Sequence, residues 1–214
     1  GYYMEVRVPL GPDRFAYAGT SFMVASYRAP EFEVSLTSEK PEYQQGETVR
    51  VTLQANYFSG GPLANVPVTW RIISDPYSFV WEKGPEDRFY SFTPFDPNQV
   101  TYDPYSSNFY LGLIREGVGT TGPDGSFTIE LPADIADAPQ SQNWAFDVTA
   151  QSPSNQYVSA RTTVPIHKAD FYVGTSPREY VASVNEPSFL DIVTVTPQGD
   201  PYPNAELEAV VYEY

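Results

Sequence analysis

Carboxylates are the most numerous side chains that could support catalysis in this sequence. The 214 residues include 27 acidic and 12 basic side chains, one histidine and no cysteine. Acid–base catalysis by a carboxylate pair needs one acid with a raised pKa in an apolar pocket and one that stays ionised. Glu82, Glu86 and Asp87 lie among aromatic residues but carry no further sign of such a pair. We interpret them as charges at the rim of a solvated segment and predict that the chain is not an enzyme.

Metal binding and nucleophilic catalysis have few candidate residues. One histidine, His167, cannot form a multi-histidine metal site, and the lack of cysteine excludes thiolate ligands and disulfides. Asp96, Asn98 and Asp103 could supply oxygen ligands to Ca²⁺, but their spacing matches no dedicated calcium loop. We expect ordinary turns there, and we expect His167 to hydrogen-bond a neighbouring backbone group at a domain joint. The sequence predicts no catalytic residue, no metal and no cofactor.

A segment rich in aromatic rings is the strongest candidate for a binding surface. Between residues 74 and 119 there are eleven aromatic residues and five prolines. Such rings could stack on sugars, contact a protein, or form a small satellite core under a long insertion. A row of exposed rings would favour binding, and buried rings would favour a structural role. The candidate interface aromatics are Tyr77, Trp81, Tyr90, Tyr102 and Tyr105.

The overall charge excludes some partners. Twelve basic minus 27 acidic side chains leaves a formal net charge of −15, which repels phosphate backbones and anionic membrane surfaces. No glycine-rich phosphate-binding motif is present, and no apolar run approaches the roughly 20 residues of a membrane span. We therefore expect no nucleic-acid partner.

The elements that position these residues are predicted to be strands. Apolar residues alternate with polar ones from Val49 to Tyr57, a period of two that is typical of a half-buried strand. Similar segments recur near residues 32–36, 66–72, 127–131, 144–150 and 158–164, separated by clusters of Gly, Pro, Asn and Ser. The 21 prolines disfavour long helices. The pattern predicts an all-β fold of immunoglobulin-like or fibronectin-like antiparallel β-sandwiches.

An internal repeat indicates how these sandwiches are arranged. The chain matches itself after a shift of 139 residues, across two strands and the turn between them. The matched pairs include Phe32 and Phe171, Val34 and Val173, Leu53 and Ile192, Pro62 and Pro201, and Asn65 and Asn204. We predict three parts in tandem. Residues 1–28 are the C-terminal strands of a preceding domain, 29–167 are a complete domain with a long insertion at 74–119, and 168–214 are the N-terminal strands of a following domain.

Several of these stretches resemble the macroglobulin domains of the bacterial alpha-2-macroglobulin family. They are residues 26–34 (SYRAPEFEV), 41–49 (PEYQQGETV), 55–70 (ANYFSGGPLANVPVTW), 121–127 (TGPDGSF) and 171–174 (FYVG). The resemblance implies a run of fibronectin-like sandwiches in a large extracellular, periplasmic or cell-surface protein that entraps proteases. It also implies that the bait segment and, in many members, a Cys–Gln thioester perform the entrapment. This chain has no cysteine, so no functional residue of the family is transferred to it.

The resemblance makes a structural scaffold of a bacterial alpha-2-macroglobulin-like endopeptidase inhibitor the expected function. Its partners would be the neighbouring macroglobulin domains, while target proteases would contact regions outside this segment. The alternative is an Ig-like module of a surface adhesin or extracellular enzyme that binds carbohydrate or protein. Because the first and last parts are half-domains with unpaired strand edges, an edge-strand homodimer of the fragment is a further prediction.

Overall fold

The computed structural model describes residues 2–12, 14–22, 29–93, 112–179, 181 and 186–210. The chain divides into two compact units, Gly1–Pro30 and Glu31–Tyr214. Within the described ranges the regular structure consists of strands, and these ranges contain no helix that is long and apolar enough to cross a membrane. The predicted all-β fold is confirmed.

The first unit is a β-hairpin. Strand β1 (Tyr2–Gly11) pairs antiparallel with β2 (Arg14–Phe22), with a register irregularity between Pro9 and Gly11. All residues of both strands are exposed, so the hairpin has no buried face of its own.

The second unit contains ten strands in three sheets. They are β3 (Phe32–Ser38), β4 (Tyr43–Gln44), β5 (Thr48–Tyr57), β6 (Pro67–Pro76), β7 (Gly112–Thr120), β8 (Ser126–Pro132), β9 (Gln142–Gln151), β10 (Tyr157–His167), β11 (Tyr172–Pro177) and β12 (Leu190–Val195). One sheet has the order β3-β5-β8, the second has the order β4-β10-β9-β6-β7, and β11 and β12 form the third. The pairs are antiparallel except for the short parallel pair of β4 with β10.

The three-stranded and five-stranded sheets form a sandwich around one core. Phe32 and Leu53 from the first sheet and Phe146 from the second are 0% exposed, and Trp144 is 1% exposed. These are the apolar positions of the period-two pattern, because alternate side chains of a strand point to the same face. The alternation therefore determines which face of each sheet is buried.

The insertion is shorter than the predicted span of residues 74–119. Strand β6 continues to Pro76, and β7 begins at Gly112 and pairs with β6 at the edge of the five-stranded sheet. Sequence reasoning missed β7 because Gly112, Gly117 and Gly119 interrupt its apolar alternation. Two of these glycines are required by packing, since a Cβ at Gly117 would lie 2.6 Å from the Trp70 ring and one at Gly119 would lie 2.2 Å from the Phe127 ring.

Candidate functional site

The 139-residue repeat is present in the backbone hydrogen bonds. Strand β11 pairs with β12 in the register that β3 has with β5, shifted by 139 residues in both strands. The turn that follows is built in the same way. The Tyr57 amide donates to the Gly61 carbonyl at 2.9 Å, and the Thr196 amide donates to the Asp200 carbonyl at 2.8 Å.

Left-handed residues occur at the same places in both turns. Asn65 has φ 55° and Asn204 has φ 60°, while Gly60 and Gly199 have φ 98° and 79°. Asparagine and glycine are the residues that adopt this conformation at low cost. The turn residues of the repeat thus specify one backbone geometry twice.

The described part of the insertion, residues 77–93, packs against β11 and β12, and we call it the strap. At the free edge of β11, Ser91 and Thr175 exchange two backbone hydrogen bonds of 2.8 and 2.9 Å. An exposed strand edge invites pairing with other chains, so covering it protects the sheet. The strap thereby acts as a short additional strand.

Aromatic rings of the strap cover one face of β11 and β12. Phe79 stacks on Tyr172 with ring centroids 4.2 Å apart and 11° between the planes. Phe92 meets Phe79 edge-on at 4.9 Å and lies over Gly174, where a Cβ would be 2.5 Å from its ring. Edge-on and stacked pairs of this kind add to the free energy of burial. Glycine at position 174 is therefore what lets the strap approach the sheet.

Polar contacts hold the same strap at both ends of the face. The Trp81 indole N–H donates to the Gly199 carbonyl at 2.9 Å, and the Lys83 ammonium lies 2.6 Å from the Asp200 carboxylate. Asp191 of β12 forms ion pairs with Arg88 of the strap and with Arg178. The hydrogen bond from Arg178 lowers the pKa of Asp191, and both guanidinium charges act in the same direction.

His167 lies at the centre of the joint between β10 and β11. It is 1% exposed, its Nδ1 is 2.7 Å from the Tyr172 hydroxyl and its Nε2 is 3.2 Å from the Glu42 carboxylate. The Tyr77 ring packs edge-on against the imidazole with centroids 5.3 Å apart. The expectation of a backbone partner for His167 was wrong, because side chains from three segments converge on this buried ring.

The Tyr172 hydroxyl connects this histidine to the sandwich. It donates to Ser141 Oγ at 2.9 Å, and the same Oγ accepts the Lys168 amide at 3.0 Å. Burial, with smaller contributions from Tyr77 and Glu42, raises the pKa of Tyr172 to about 12. Tyr172 therefore remains a neutral hydrogen-bonding group across the physiological range.

The predicted interface aromatics have two outcomes. Tyr77, Trp81 and Tyr90 are half-buried, and Tyr90 packs edge-on against Trp81 with centroids 5.6 Å apart. Tyr102 and Tyr105 lie outside the described residues, and so do the calcium candidates Asp96, Asn98 and Asp103. Within the described ranges no group of three or more His, Cys, Asp or Glu residues could hold a metal ion.

The sequence contained an overlooked signal for the strap. The outward-facing positions of β3 and β5 are polar, and most of their equivalents in the second copy are larger, more apolar or glycine. The pairs are Glu33 and Tyr172, Ser35 and Gly174, Thr52 and Asp191, Gln54 and Val193, and Asn56 and Val195. Comparing the two faces of the repeat would have predicted that the second one is covered.

Comparison with known proteins gives one curated relative and several solved structures, while no family model matches. An alpha-2-macroglobulin of Thermotoga maritima is 29% identical over 161 residues, covering 75% of this chain and 9% of that protein. Escherichia coli alpha-2-macroglobulin activated by porcine elastase matches with a TM-score of 0.57 and 16% identity, covering 92% of this chain and 17% of that chain. Salmonella alpha-2-macroglobulin reacted with methylamine matches with a TM-score of 0.59 and 17% identity, covering 93% and 13%.

These matches confirm the predicted resemblance to the bacterial alpha-2-macroglobulin family, and the structures confirm the fold. The chain spans only about a tenth of the length of its curated relative. The relatives agree with the prediction that this segment is not an enzyme.

Proposed function

We propose that this chain, which has the sequence and fold of macroglobulin domains of bacterial alpha-2-macroglobulins, is a structural scaffold that fixes the angle between consecutive β-sandwiches. The observation that carries the proposal is the strap. It leaves the 29–167 sandwich, pairs with the edge of β11 through Ser91 and hydrogen-bonds Gly199 through Trp81. A rigid joint of this kind transmits motion of one domain to the next as a rigid-body movement.

The domain division proposed from the sequence has structural support on both sides. The β1–β2 hairpin pairs Tyr2 with Phe22, and β9–β10 pairs Trp144 with Val164, so the two registers differ by 142 residues in both strands. We assign residues 1–28 to the closing strands of one domain, 29–167 to a complete domain and 168–214 to the opening strands of a third.

The parent protein would inhibit endopeptidases by entrapment, with bait and target-protease contacts outside this segment. The E. coli relative is described as activated by porcine elastase, which supports a protease-responsive parent. We expect the parent to be extracellular, periplasmic or on the cell surface, with neighbouring macroglobulin domains as its direct contacts. The alternative of a carbohydrate- or protein-binding module has less support, because Tyr77, Trp81 and Tyr90 are used in packing within the chain.

Distances between spin labels test the scaffold directly. The chain has no cysteine, so Ser35→Cys and Leu190→Cys place one label on each side of the joint without competing thiols. We expect a single narrow distance distribution in dilute protein. The double substitution Phe79→Ala and Trp81→Ala should broaden it, because it removes the stacked ring and the hydrogen bond to Gly199.

A strap residue that contacts little provides the matched control. Phe89 is 84% exposed, so Phe89→Ala should leave the distribution narrow. A broad distribution in the unsubstituted chain, or one that the double substitution does not change, would mean that the strap does not set the domain angle.

A further inference from the structure

The β1–β2 hairpin has one apolar face and one polar face. Side chains at Tyr2, Met4, Val6, Val8 and Leu10 share a face with the paired residues Phe22, Thr20, Ala18 and Ala16. The opposite face carries the Glu5–Arg7 ion pair, with the Arg7 guanidinium 5.7 Å from the Tyr17 ring centroid. The apolar face is uncovered, since Met4 is 53% exposed and Val6 and Val8 are each 50% exposed. Amphipathic sheets of this kind bury their apolar face in stable proteins.

The β11–β12 sheet presents a second uncovered apolar face, opposite the face that the strap covers. Val173, Leu190 and Ile192 are 39%, 55% and 42% exposed. Their repeat equivalents in the 29–167 domain include Leu53, which is 0% exposed in the core. This is therefore the inward face of an opening strand pair that lacks a facing sheet among the described residues.

The complete domain shows what covers such a face. There the opening strands β3 and β5 face the closing pair β9–β10, whose inward residues Trp144, Phe146 and Val148 are buried. The hairpin reproduces that closing pair position by position. Its inward pairs Met4 with Thr20 and Val6 with Ala18 correspond to Phe146 with Thr162 and Val148 with Ala160.

We propose that the uncovered face of β11–β12 binds the β1–β2 hairpin of a second copy of this chain, forming a hybrid sandwich. Exchange in both directions gives a closed dimer with two such contacts. A two-stranded face of six residues measures about 20 Å by 10 Å, so the two contacts together bury on the order of 1,000 Å². That area is near the lower limit for a specific interface, so we expect a weak dimer with a Kd in the micromolar range or above.

Charge substitutions on the two faces test the pairing. Val6→Lys and Ile192→Asp should each weaken self-association in sedimentation experiments by at least about tenfold, because each places an unpaired charge against an apolar face. The matched control is Ser21→Asp, which adds a charge on the polar face of the same hairpin and should leave association unchanged.

Mixing the two variants makes the test independent of folding defects. In a mixed dimer of the Val6→Lys chain with the Ile192→Asp chain, one contact sets the introduced ammonium against the introduced carboxylate, and the other contact is unsubstituted. The mixture should therefore recover most of the lost affinity. A monomer at every concentration, or no recovery in the mixture, overturns the proposal. Because the inference rests on the assignment of half-domains and not on the strap, a narrow spin-label distance in the monomer leaves the scaffold role intact in either case.

Discussion

The two opening strand pairs share one backbone and have different outer faces. Strands β3–β5 and β11–β12 have equivalent registers, equivalent turn hydrogen bonds and left-handed asparagines at Asn65 and Asn204. The outer face of the first is polar, whereas the second carries Tyr172, Gly174 and Val195 beneath the strap. The comparison teaches that turn residues specify the strand pair, while the side chains of each face decide what it packs against.

The inner faces differ in the opposite sense, and this difference predicts the largest effect. Leu53 is fully buried and its equivalent Ile192 is 42% exposed. Leu53→Ala should lower the free energy of unfolding by about 2–5 kcal/mol, because it leaves a cavity in a packed core. Ile192→Ala should cost less than about 1 kcal/mol in dilute monomer, because it removes little buried surface. Chemical denaturation of both variants measures the difference, and equal losses would contradict the proposed half-domain.

The outer faces predict a smaller contrast at another repeat pair. Gly174→Ala places a Cβ 2.5 Å from the Phe92 ring and should displace the strap, at a cost of about 1–3 kcal/mol. Ser35→Ala, at the equivalent exposed position, should change stability by less than about 0.5 kcal/mol. Amide hydrogen exchange in β11 reports the loss of the Ser91–Thr175 pairing.

A double-substitution cycle separates a clash from a general effect on β11. In a Phe92→Ala background the ring that Gly174 accommodates is absent, so Gly174→Ala should then cost little. If the cost were unchanged, the strap ring would not be the reason for glycine at this position.

Acidification should produce the smallest effect on the comparison. The hydrogen bond from Arg178 lowers the pKa of Asp191 in the folded state. The stability that this carboxylate contributes is therefore complete above its ordinary pKa and is lost as the pH falls through the lowered value. Below about pH 4 the strap should loosen, with a broader Ser35–Leu190 label distance.

The variant Asp191→Asn identifies the group responsible. It should show a broadened distance already at neutral pH and a smaller further change on acidification, because the ion pair with Arg88 is absent at every pH. An acid response equal to that of the unsubstituted chain would assign the effect to other carboxylates.

The strands with regular alternation were predictable from the sequence, and those without it were not. The period-two residues of β5 and β9 are the buried residues of the core, since alternation alone determines the face of a strand. Strand β7 was missed because its glycines serve the packing of Trp70 and Phe127 and not the alternation. The candidate site was predictable in part. Aromatic content singled out the segment that contains Tyr77, Trp81 and Tyr90 but did not specify their contacts.

The sequence by itself determined the fold class, the tandem repeat and the turns, because each depends on residues close together in the chain. Local spacing specifies which side chains share a face, and glycine and asparagine specify where the backbone turns. Only the tertiary structure decided that Phe79 stacks on Tyr172 and that Glu42, Tyr77 and Tyr172 surround His167. Those contacts join residues from about 90 to 125 positions apart or lie across a domain joint, and their geometry depends on how whole sheets and the strap pack together.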